Sequence, residues 1–205
     1  LAEVFYGLSI LLQAEGASDV ALPYLRIALA LKPEFPVAQI LVGDLLVRSA
    51  RYQEASQLFS AVKTDRSWGA QAALRAGVLE TVTGDLTKAT QNLSELAAAH
   101  DHWAEAWQQL GDARLAKGDL AGAIEAFTYE LTLGKDHLSN EERGRALMSR
   151  AQALQRQQNL HAAETDLQEA VQLMPDNAQL LNHLGYMWAE RGVRLDEAAD
   201  LVTRA

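Results

Sequence analysis

The sequence predicts an all-α fold, a solenoid of about six antiparallel helix pairs, and three observations predict it. A short motif ending in Ala recurs with spacings of 34, 34, 34, 40 and 35 residues, at Ala21, Ala55, Ala89, Ala123, Ala163 and Ala198. Small residues recur upstream with spacings of 34, 34, 34, 40 and 34, at Ser9, Gly43, Gly77, Gly111, Ala151 and Gly185. Strand signals are missing, since there is no sustained apolar/polar alternation and no Asn-Gly or Asp-Gly turn. Because such a period is typical of repeat architectures, we expect roughly 70–85% helix against about one-third in ordinary domains.

Each repeat contains two helices, as the fourth repeat illustrates. Trp107, Leu110 and Gly111 are spaced so that they share one face of the first helix. Gly118 suits the left-handed conformation that ends a helix. Asp119 then offers a side-chain oxygen that can cap the second helix. The pattern predicts a helix, a tight turn and a second helix.

Eight of the 13 glycines lie at two repeat positions. Four are at the turn between the helices, namely Gly16, Gly84, Gly118 and Gly192. Four are in the middle of the first helix, namely Gly43, Gly77, Gly111 and Gly185. Glycine in a helix interior costs about 1 kcal/mol relative to Ala, so its recurrence there predicts a close approach of two helices. We expect the recurring Ala of the second helix to be the facing contact, with Ala123 opposite Gly111 or its neighbours.

The residues of these repeats resemble the tetratricopeptide repeat (TPR), whose pattern is Trp-x2-Leu-Gly-x2-Tyr followed by Ala, Phe, Ala and Pro. The fourth repeat carries Trp107, Leu110, Gly111, Ala123 and Phe127 in this order. The units are predicted at 2–35, 36–69, 70–103, 104–137, 144–177 and 178–205, so that one solenoid covers 1–205. The resemblance implies that the helix pairs stack into a right-handed superhelix. It also implies that the first helices line a concave face that holds a peptide or a helix of another protein.

The run 184–192, followed by 195–198, is similar to long TPR proteins of Gram-negative bacteria. This similarity implies a bacterial protein and leaves two compartments open, the cytoplasm and the periplasm, with anchoring to the envelope through a segment outside this chain. The sixth unit stops within its second helix, and no polar capping helix follows it. Since solenoids need polar caps, we expect further repeats in a longer parent protein.

Four departures from the repeat pattern carry expectations of their own. Residues 138–143 are an insertion that either lengthens a connection or extends the next helix, with Ser139 and Glu142 forming a capping box. Arg150 replaces the usual Leu, and we expect its stem to pack while its charged end reaches solvent. Glu130 replaces a small residue, and we expect it to point outward. Pro23 lies early in a second helix, which it can bend.

Composition excludes several function classes. There are 18 Lys+Arg against 27 Asp+Glu, which gives a net charge of −9 and no overall field that attracts nucleic acid or anionic lipid. The absence of cysteine removes disulfides, thiolate metal sites and Cys nucleophiles. The longest apolar run is far shorter than the roughly 20 residues of a membrane span. We therefore predict no nucleic-acid partner and no direct membrane insertion of this segment.

Few residues suggest catalysis. His100, Asp101 and His102 form the most metal-like cluster, but neighbours at i and i+2 do not share a helix face and a polar loop explains them better. There is no Gly-rich phosphate loop, no Gly-x-Ser-x-Gly and no His-Glu-x-x-His. We predict no catalytic residue, no cofactor and no metal. The aromatic residues on core positions are expected to pack rather than to stack on bases, namely Phe5, Phe59, Trp107, Phe127 and Trp188.

Carrying the concave face over by repeat position gives a predicted groove. The first three units contribute a mostly apolar set, Tyr6, Ile10, Ile40, Leu41, Asp44, Leu74, Arg75 and Val78. The last three units contribute a polar set, Gln108, Gln109, Asp112, Arg145, Ser149, Gln152, Arg156, Asn182, His183 and Tyr186. For the apolar members, packing against neighbouring helices is an equal alternative. The carboxylate-binding clamp of some TPR domains is not expected, because only Arg75 matches its charge pattern.

The cluster Arg143, Arg145, Arg150 and Arg156 is either a solvated helix with ion pairs or a local clamp for an acidic peptide. For the whole chain we predict a non-enzymatic scaffold or adaptor whose groove binds a peptide or helix of a partner. The alternative is a scaffold that self-assembles through its groove or its ends. An enzyme is the third class, which a metal analysis of purified protein would help to discriminate.

Overall fold

The computed structural model describes residues 1–133 and 137–205, with only the backbone described for Ser18 and Asp19. The end of the predicted fourth unit, residues 134–136, lies outside the described residues. Across the described ranges the chain forms twelve helices and no strand, with 80% of residues helical. This confirms the all-α fold and the expected helix content.

Two helices fall in each predicted repeat. In the first half they are α1 (Ala2–Ala14), α2 (Ser18–Leu31), α3 (Pro36–Arg48), α4 (Tyr52–Val62), α5 (Gly69–Thr83) and α6 (Leu86–Ala99). In the second half they are α7 (Ala104–Lys117), α8 (Leu120–Leu133), α9 (Asn140–Arg156), α10 (Leu160–Leu173), α11 (Ala178–Glu190) and α12 (Leu195–Arg204). None of the helices in the described residues is long and apolar enough to cross a membrane.

The chain divides into two compact units, residues 1–96 and 97–205. Within the first unit, α1 packs on α2, α3 on α4, and α4 on α5. Within the second unit, the pairs α7–α8, α9–α10 and α11–α12 are joined because α8 also packs on α9, and α10 on α11. A single continuous solenoid over 1–205 stays a prediction.

The turn between the two helices of a repeat follows the expected chemistry. Gly118 has φ of +86°, and the next N–H, that of Asp119, donates to the carbonyl of Arg114 at 2.9 Å. The carboxylate of Asp119 accepts from the backbone N–H of Gly122 at 3.0 Å, which caps α8. Two repeats without glycine use the same left-handed conformation, at Ala50 and Gln158. The backbone conformation of the turn is thus kept even where the side chain makes it costly.

The mid-helix glycines mark close approaches of two helices, as expected, with a large side chain directly opposite. A Cβ built on Gly111 would overlap the ring of Phe127, and one on Gly77 would lie 2.6 Å from Leu93. Phe127 and not Ala123 therefore lies directly opposite Gly111, while Ala123 belongs to the same buried cluster as Leu115, one turn from Gly111. Ala123 is fully buried one turn earlier in α8, and the longer side chain at the next turn fills the space opposite the glycine.

We expect Gly111→Ala to destabilise the protein, although Ala is the better helix former. The new methyl group would collide with the fully buried Phe127 ring, and overpacking costs typically about 1–3 kcal/mol. Gly7→Ala is the matched control, because a Cβ there meets nothing within 4 Å and the substitution should stabilise α1 by up to about 1 kcal/mol. Urea unfolding of both variants checks this. Equal effects would contradict the close approach of α7 and α8.

The 138–143 insertion extends the helix that follows it. The hydroxyl of Ser139 accepts from the Glu142 N–H, and the Ser139 N–H donates to the Glu142 carboxylate at 2.8 Å. This confirms the predicted capping box, and the hydrogen bonds to Ser139 lower the pKa of the Glu142 carboxyl. With 17 residues, α9 is longer than the other helices of the described chain.

Arg150 does not direct its charged end into solvent. Its Nε and Nη2 donate to the two carboxylate oxygens of Asp166 at 2.7 and 2.8 Å, and Nη1 donates to the Thr128 hydroxyl at 3.1 Å. The expectation was wrong because a buried carboxylate on the facing helix α10 offers a better site than water. Asp166 is only 5% exposed, so the pair is largely removed from solvent.

Candidate partner-binding site

A polar cavity of about 540 Å³ lies between α7, α8 and α9 in the second unit. It is lined by Ala104, Glu105, Gln108, Gln109, Asp112, Glu130, Leu138, Glu142, Arg145, Met148 and Ser149. The structure thus brings together five predicted groove residues from two successive first helices, Gln108, Gln109, Asp112, Arg145 and Ser149. Because Glu105, Glu142 and Arg145 are exposed, the cavity is open to solvent.

Glu130 lies at the inner side of this cavity and not on the outer surface. It is 4% exposed, on the same face of α8 as Ala123, Ala126 and Phe127. The expectation that it points outward is wrong, because the repeat position sets its direction whatever residue occupies it. Its carboxylate oxygen Oε2 has no hydrogen-bond partner among the described residues.

The surroundings of Glu130 favour its neutral form. Burial raises its pKa to about 8, and the nearby carboxylates of Asp112 and Glu142 add to the rise while Arg145 opposes it. Burial also raises the pKa of Asp112, although the hydrogen bond that Gln108 donates to its carboxylate lowers this pKa in part. At pH 7 Glu130 is mostly protonated.

Gln108 is oriented by its neighbours. Its amide Nε2 donates to the Asp112 carboxylate at 3.1 Å and to the Ser149 hydroxyl at 3.5 Å. The amide oxygen Oε1 consequently points away from these groups, is buried, and has no hydrogen-bond partner in the described part of the chain. Gln108 and Glu130, which both line the cavity, therefore each carry a buried oxygen without a hydrogen-bond partner among the described residues.

Of the four clustered arginines, only Arg145 lines the cavity. Arg143 pairs with Glu169 at 2.7 Å, and Arg150 pairs with Asp166. Arg156 donates to the backbone carbonyl of Leu115 at 2.9 Å. The structure thus has ion pairs at Arg143 and Arg150, in keeping with the first interpretation of the cluster. It leaves Arg145 as the cation that faces the predicted groove.

The other predicted groove residues of the second unit lie outside the cavity. Gln152 and Tyr186 are exposed, and Asn182 is half-buried. His183 approaches the Gln155 side-chain oxygen through Nε2, and burial lowers the pKa of its imidazole.

In the first unit the predicted groove residues divide into two groups. Ile40 and Leu74 are 7% and 0% exposed, so they pack against neighbouring helices, which was the alternative left open. The residues with accessible surface are Tyr6, Ile10, Leu41, Asp44, Arg75 and Val78. Asp44 and Arg75 pair with each other at 3.3 Å, and burial raises the pKa of Asp44.

The aromatic residues are only partly in the core. Phe59, Phe127 and Trp188 are buried, as expected. Phe5 is half-buried and lies 6.3 Å from Tyr24 between ring centres. Trp107 is half-buried, stacks on Tyr129 at 4.5 Å, and donates from its indole to the Asp101 carbonyl. This anchors the loop that contains His102, whose ring lies 3.3 Å from the Asp101 carboxylate. Within residues 1–133 and 137–205 no group of three metal-ligating side chains could hold an ion.

Sequence reasoning missed Glu130 although the signal was present. The equivalent positions of four other repeats hold Ala28, Val62, Leu96 and Ala170, all buried. A glutamate in this register is therefore a glutamate in the core layer. The repeat alignment alone was enough to find it.

The helix pairs, their turn geometry and their glycine contacts define a helical-repeat scaffold. A family profile described as Tetratricopeptide repeat matches residues 6–71 and 148–205, and a second with the same description matches residues 104–128. The chain belongs to the tetratricopeptide repeat family. TPR folds in general are scaffolds for protein–protein interaction, and this chain has that architecture.

One sequence relative and two solved structures illustrate the range of similarity. A TPR repeat-containing protein of Pseudomonas aeruginosa is 23% identical over 172 residues, which is 84% of this chain and 22% of the relative. The chain thus spans about a fifth of that relative's length. The structure of Pseudomonas aeruginosa pilF has a TM-score of 0.78 and 18% identity, covering 98% of this chain and 88% of that chain. A chain of the APC/C hetero-tetramer Cut9–Hcn1 has a TM-score of 0.80 and 17% identity, covering 99% of this chain and 42% of that chain. These two structures share the fold.

Proposed function

We propose that this chain is a non-enzymatic scaffold that binds a peptide or helix of a partner protein along the first helices of its repeats. The observation that carries the proposal is the cavity between α7 and α9. Five residues chosen by repeat position from two successive units line it together. A volume of about 540 Å³ lies within the range of roughly 300–1,000 Å³ typical of ligand sites.

The lining of the cavity suits a polypeptide ligand. Gln109 and Ser149 each carry both donor and acceptor groups, which matches a peptide backbone that must satisfy its own N–H and C=O groups on binding. Arg145 and Glu105 at the exposed side add charged groups that orient a ligand and set its approach rate. The assembly of the Cut9–Hcn1 hetero-tetramer is an example of this fold in a protein complex.

In the first unit, the first helices of the repeats offer accessible apolar residues. Ile10 is 41% exposed, and Leu41 and Val78 are half-buried, whereas Ile40 and Leu74 are buried. A substitution such as Leu74→Asp would therefore test folding and not binding. The accessible apolar residues are the ones expected to contact a partner.

Site-specific photo-crosslinking in the native cells tests the binding face. A photoreactive amino acid replaces Gln109 or Gln152 on the first-helix side, and Gln168 on α10 as the control. We expect adducts with a partner polypeptide from the first two positions and not from the third. Adducts only from position 168 would contradict the proposal. An adduct of twice the chain mass from positions 109 and 152 would favour the self-assembling alternative.

A further inference from the structure

The cavity between α7, α8 and α9 contains a buried polar group that the scaffold itself does not need. Glu130 is 4% exposed and its Oε2 has no hydrogen-bond partner within the described residues. An unsatisfied buried polar oxygen costs about 1–3 kcal/mol, and four other repeats have an apolar residue at this position. Such a group is expected to have a partner outside the described residues.

Once Glu130 is ionised its carboxylate can only accept hydrogen bonds, so its missing partner must then be a donor. Gln108 also lines this cavity and has an unpaired buried acceptor, its Oε1, while its Nε2 already donates to Asp112 and Ser149. An anion would meet more acceptors than donors here. A ligand with several N–H groups would satisfy both oxygens at once.

The charges of the lining select a cation. Four carboxyl residues line the cavity, Glu105, Asp112, Glu130 and Glu142, against the single base Arg145. Glu142 is engaged with Ser139 in the capping box, and Asp112 with Gln108. A small divalent metal is disfavoured, because the described residues provide no group of three or more His, Cys, Asp or Glu arranged to hold one. An extended organic cation fits the volume and the spread of acceptors better.

We infer that the cavity receives a lysine or arginine side chain of the partner polypeptide, whose charged end reaches the Glu130 carboxyl and the Gln108 amide oxygen. This inference rests on the proposed function and names the chemistry that the groove recognises. The apolar stem of such a side chain passes Leu138 and Met148, which also line the cavity. The backbone of the partner polypeptide remains at the exposed side of the cavity, next to Gln109 and Ser149.

Binding of this cation is coupled to the release of a proton from Glu130. Glu130 is mostly neutral at pH 7, since burial, Asp112 and Glu142 raise its pKa and Arg145 opposes them. A cation favours the ionised carboxylate, so the carboxyl releases its proton to solvent on binding. Affinity for a basic side chain should rise with pH up to about 8, the pKa of Glu130, and then level off.

The test uses the purified chain and small probes, monitored by NMR of the labelled protein. N-acetyl-lysine N-methylamide should give saturable shifts at Gln108, Asp112 and Ser149. The matched probe, acetylated also on its side-chain amine, should give none. n-Butylamine should bind more weakly than the lysine amide because it lacks the peptide groups. Equal or tighter binding of n-butylamine would instead assign the cavity to free amines and overturn the inference, as would saturation by magnesium chloride alone.

Two variants give effects of opposite sign. Glu130→Gln should lower the affinity for the lysine probe about tenfold, as expected for the loss of a charged hydrogen bond. It should also remove the rise in affinity between pH 6 and 8. Arg145→Gln should raise the affinity for the lysine probe, because it removes a competing cation. The control is Glu125→Gln, on the same helix but on the solvent side, which should leave binding unchanged. Circular dichroism confirms folding of each variant. If Arg145→Gln weakens binding, or Glu130→Gln has no effect, the inference fails.

These outcomes are separate from those of the crosslinking experiment. Crosslinks from position 109 together with no binding of the lysine probe would retain the proposed groove and remove the basic side chain from it. Binding of the lysine probe without first-helix crosslinks would mean that the cavity takes a cation from a source other than the partner, and the inference would also fail.

Discussion

Arg150→Ala should destabilise the second unit by about 3 kcal/mol, because it leaves a buried carboxylate without its partner. Asp166 is 5% exposed and accepts two hydrogen bonds from the Arg150 guanidinium. The Arg150 side chain itself is 22% exposed, so water relieves part of the cost, and we place the loss at the low end of the range for buried pairs. Urea unfolding at neutral pH measures it.

Arg143→Ala is the matched control on the same helix. Arg143 also pairs with an acid on α10, but its partner Glu169 has a 41% exposed side chain, and exposed pairs contribute typically about 0–1 kcal/mol. A loss for Arg143→Ala as large as that for Arg150→Ala would mean that burial does not distinguish the two pairs.

A double substitution separates charge from packing. The fourth repeat holds Leu110 and Ala126 at the positions of Arg150 and Asp166, and both are buried. Replacing the fifth repeat's pair by Leu and Ala should recover most of the stability lost in Arg150→Ala, since exchanging a buried ion pair for apolar residues is often neutral.

The repeat register determined which features could be predicted from the sequence. Helix pairs, left-handed turns and the Ser139–Glu142 capping box depend on residues within a few positions of one another, and all three were predicted. The burial of Glu130 was also encoded in the register, through the apolar residues at the equivalent positions. It was missed because a charged residue type was given more weight than its repeat position.

Contacts between helices were less predictable. Arg150 and Asp166 are 16 residues apart and on facing helices, and several other acids in α10 and α8 are similarly spaced in the sequence. The choice among them depends on the packing of two helices. In the same way, Phe127 and not Ala123 faces Gly111 because side-chain length decides which residue reaches across.

The groove was predictable only in part, for a geometric reason. α3 packs against α2, α4 and α5, so most of its circumference is covered, and Ile40 is buried while Leu41 beside it keeps some accessible surface. Since both are apolar, the hydrophobic pattern does not reveal which one faces the partner. In the second unit the predicted polar residues of α7 and α9 do meet around one cavity, because polar side chains remain at accessible positions.

Glu130→Gln should raise stability at alkaline pH and change it little at acidic pH. The folded chain holds the Glu130 proton up to a pKa of about 8, whereas the carboxyl of an unfolded chain releases it near its ordinary value of 4.5. The folded state therefore binds more protons between these two values, and the free energy of unfolding falls as pH rises through this window. The contribution of the Glu130 proton to stability is complete below about pH 4.5 and absent above about pH 8, and its size is on the order of 5 kcal/mol. Because glutamine cannot ionise, the free energy of unfolding of the variant does not fall in this way as pH rises.

The measurement is the difference in melting temperature between Glu130→Gln and the parent chain at pH 5 and at pH 8.5. We expect a small difference at pH 5, and we expect the variant to melt roughly 10 °C or more above the parent at pH 8.5, since about 1 kcal/mol corresponds to roughly 2–4 °C in a chain of this size. Some pH dependence should remain in the variant, because burial also raises the pKa of Asp112. Glu125→Gln is the control on the same helix, with a 63% exposed side chain paired to Arg114, and its difference from the parent should be similar at both pH values. Parallel melting profiles for Glu130→Gln and the parent would mean that Glu130 is ionised in the folded chain, and its carboxyl would then have a partner.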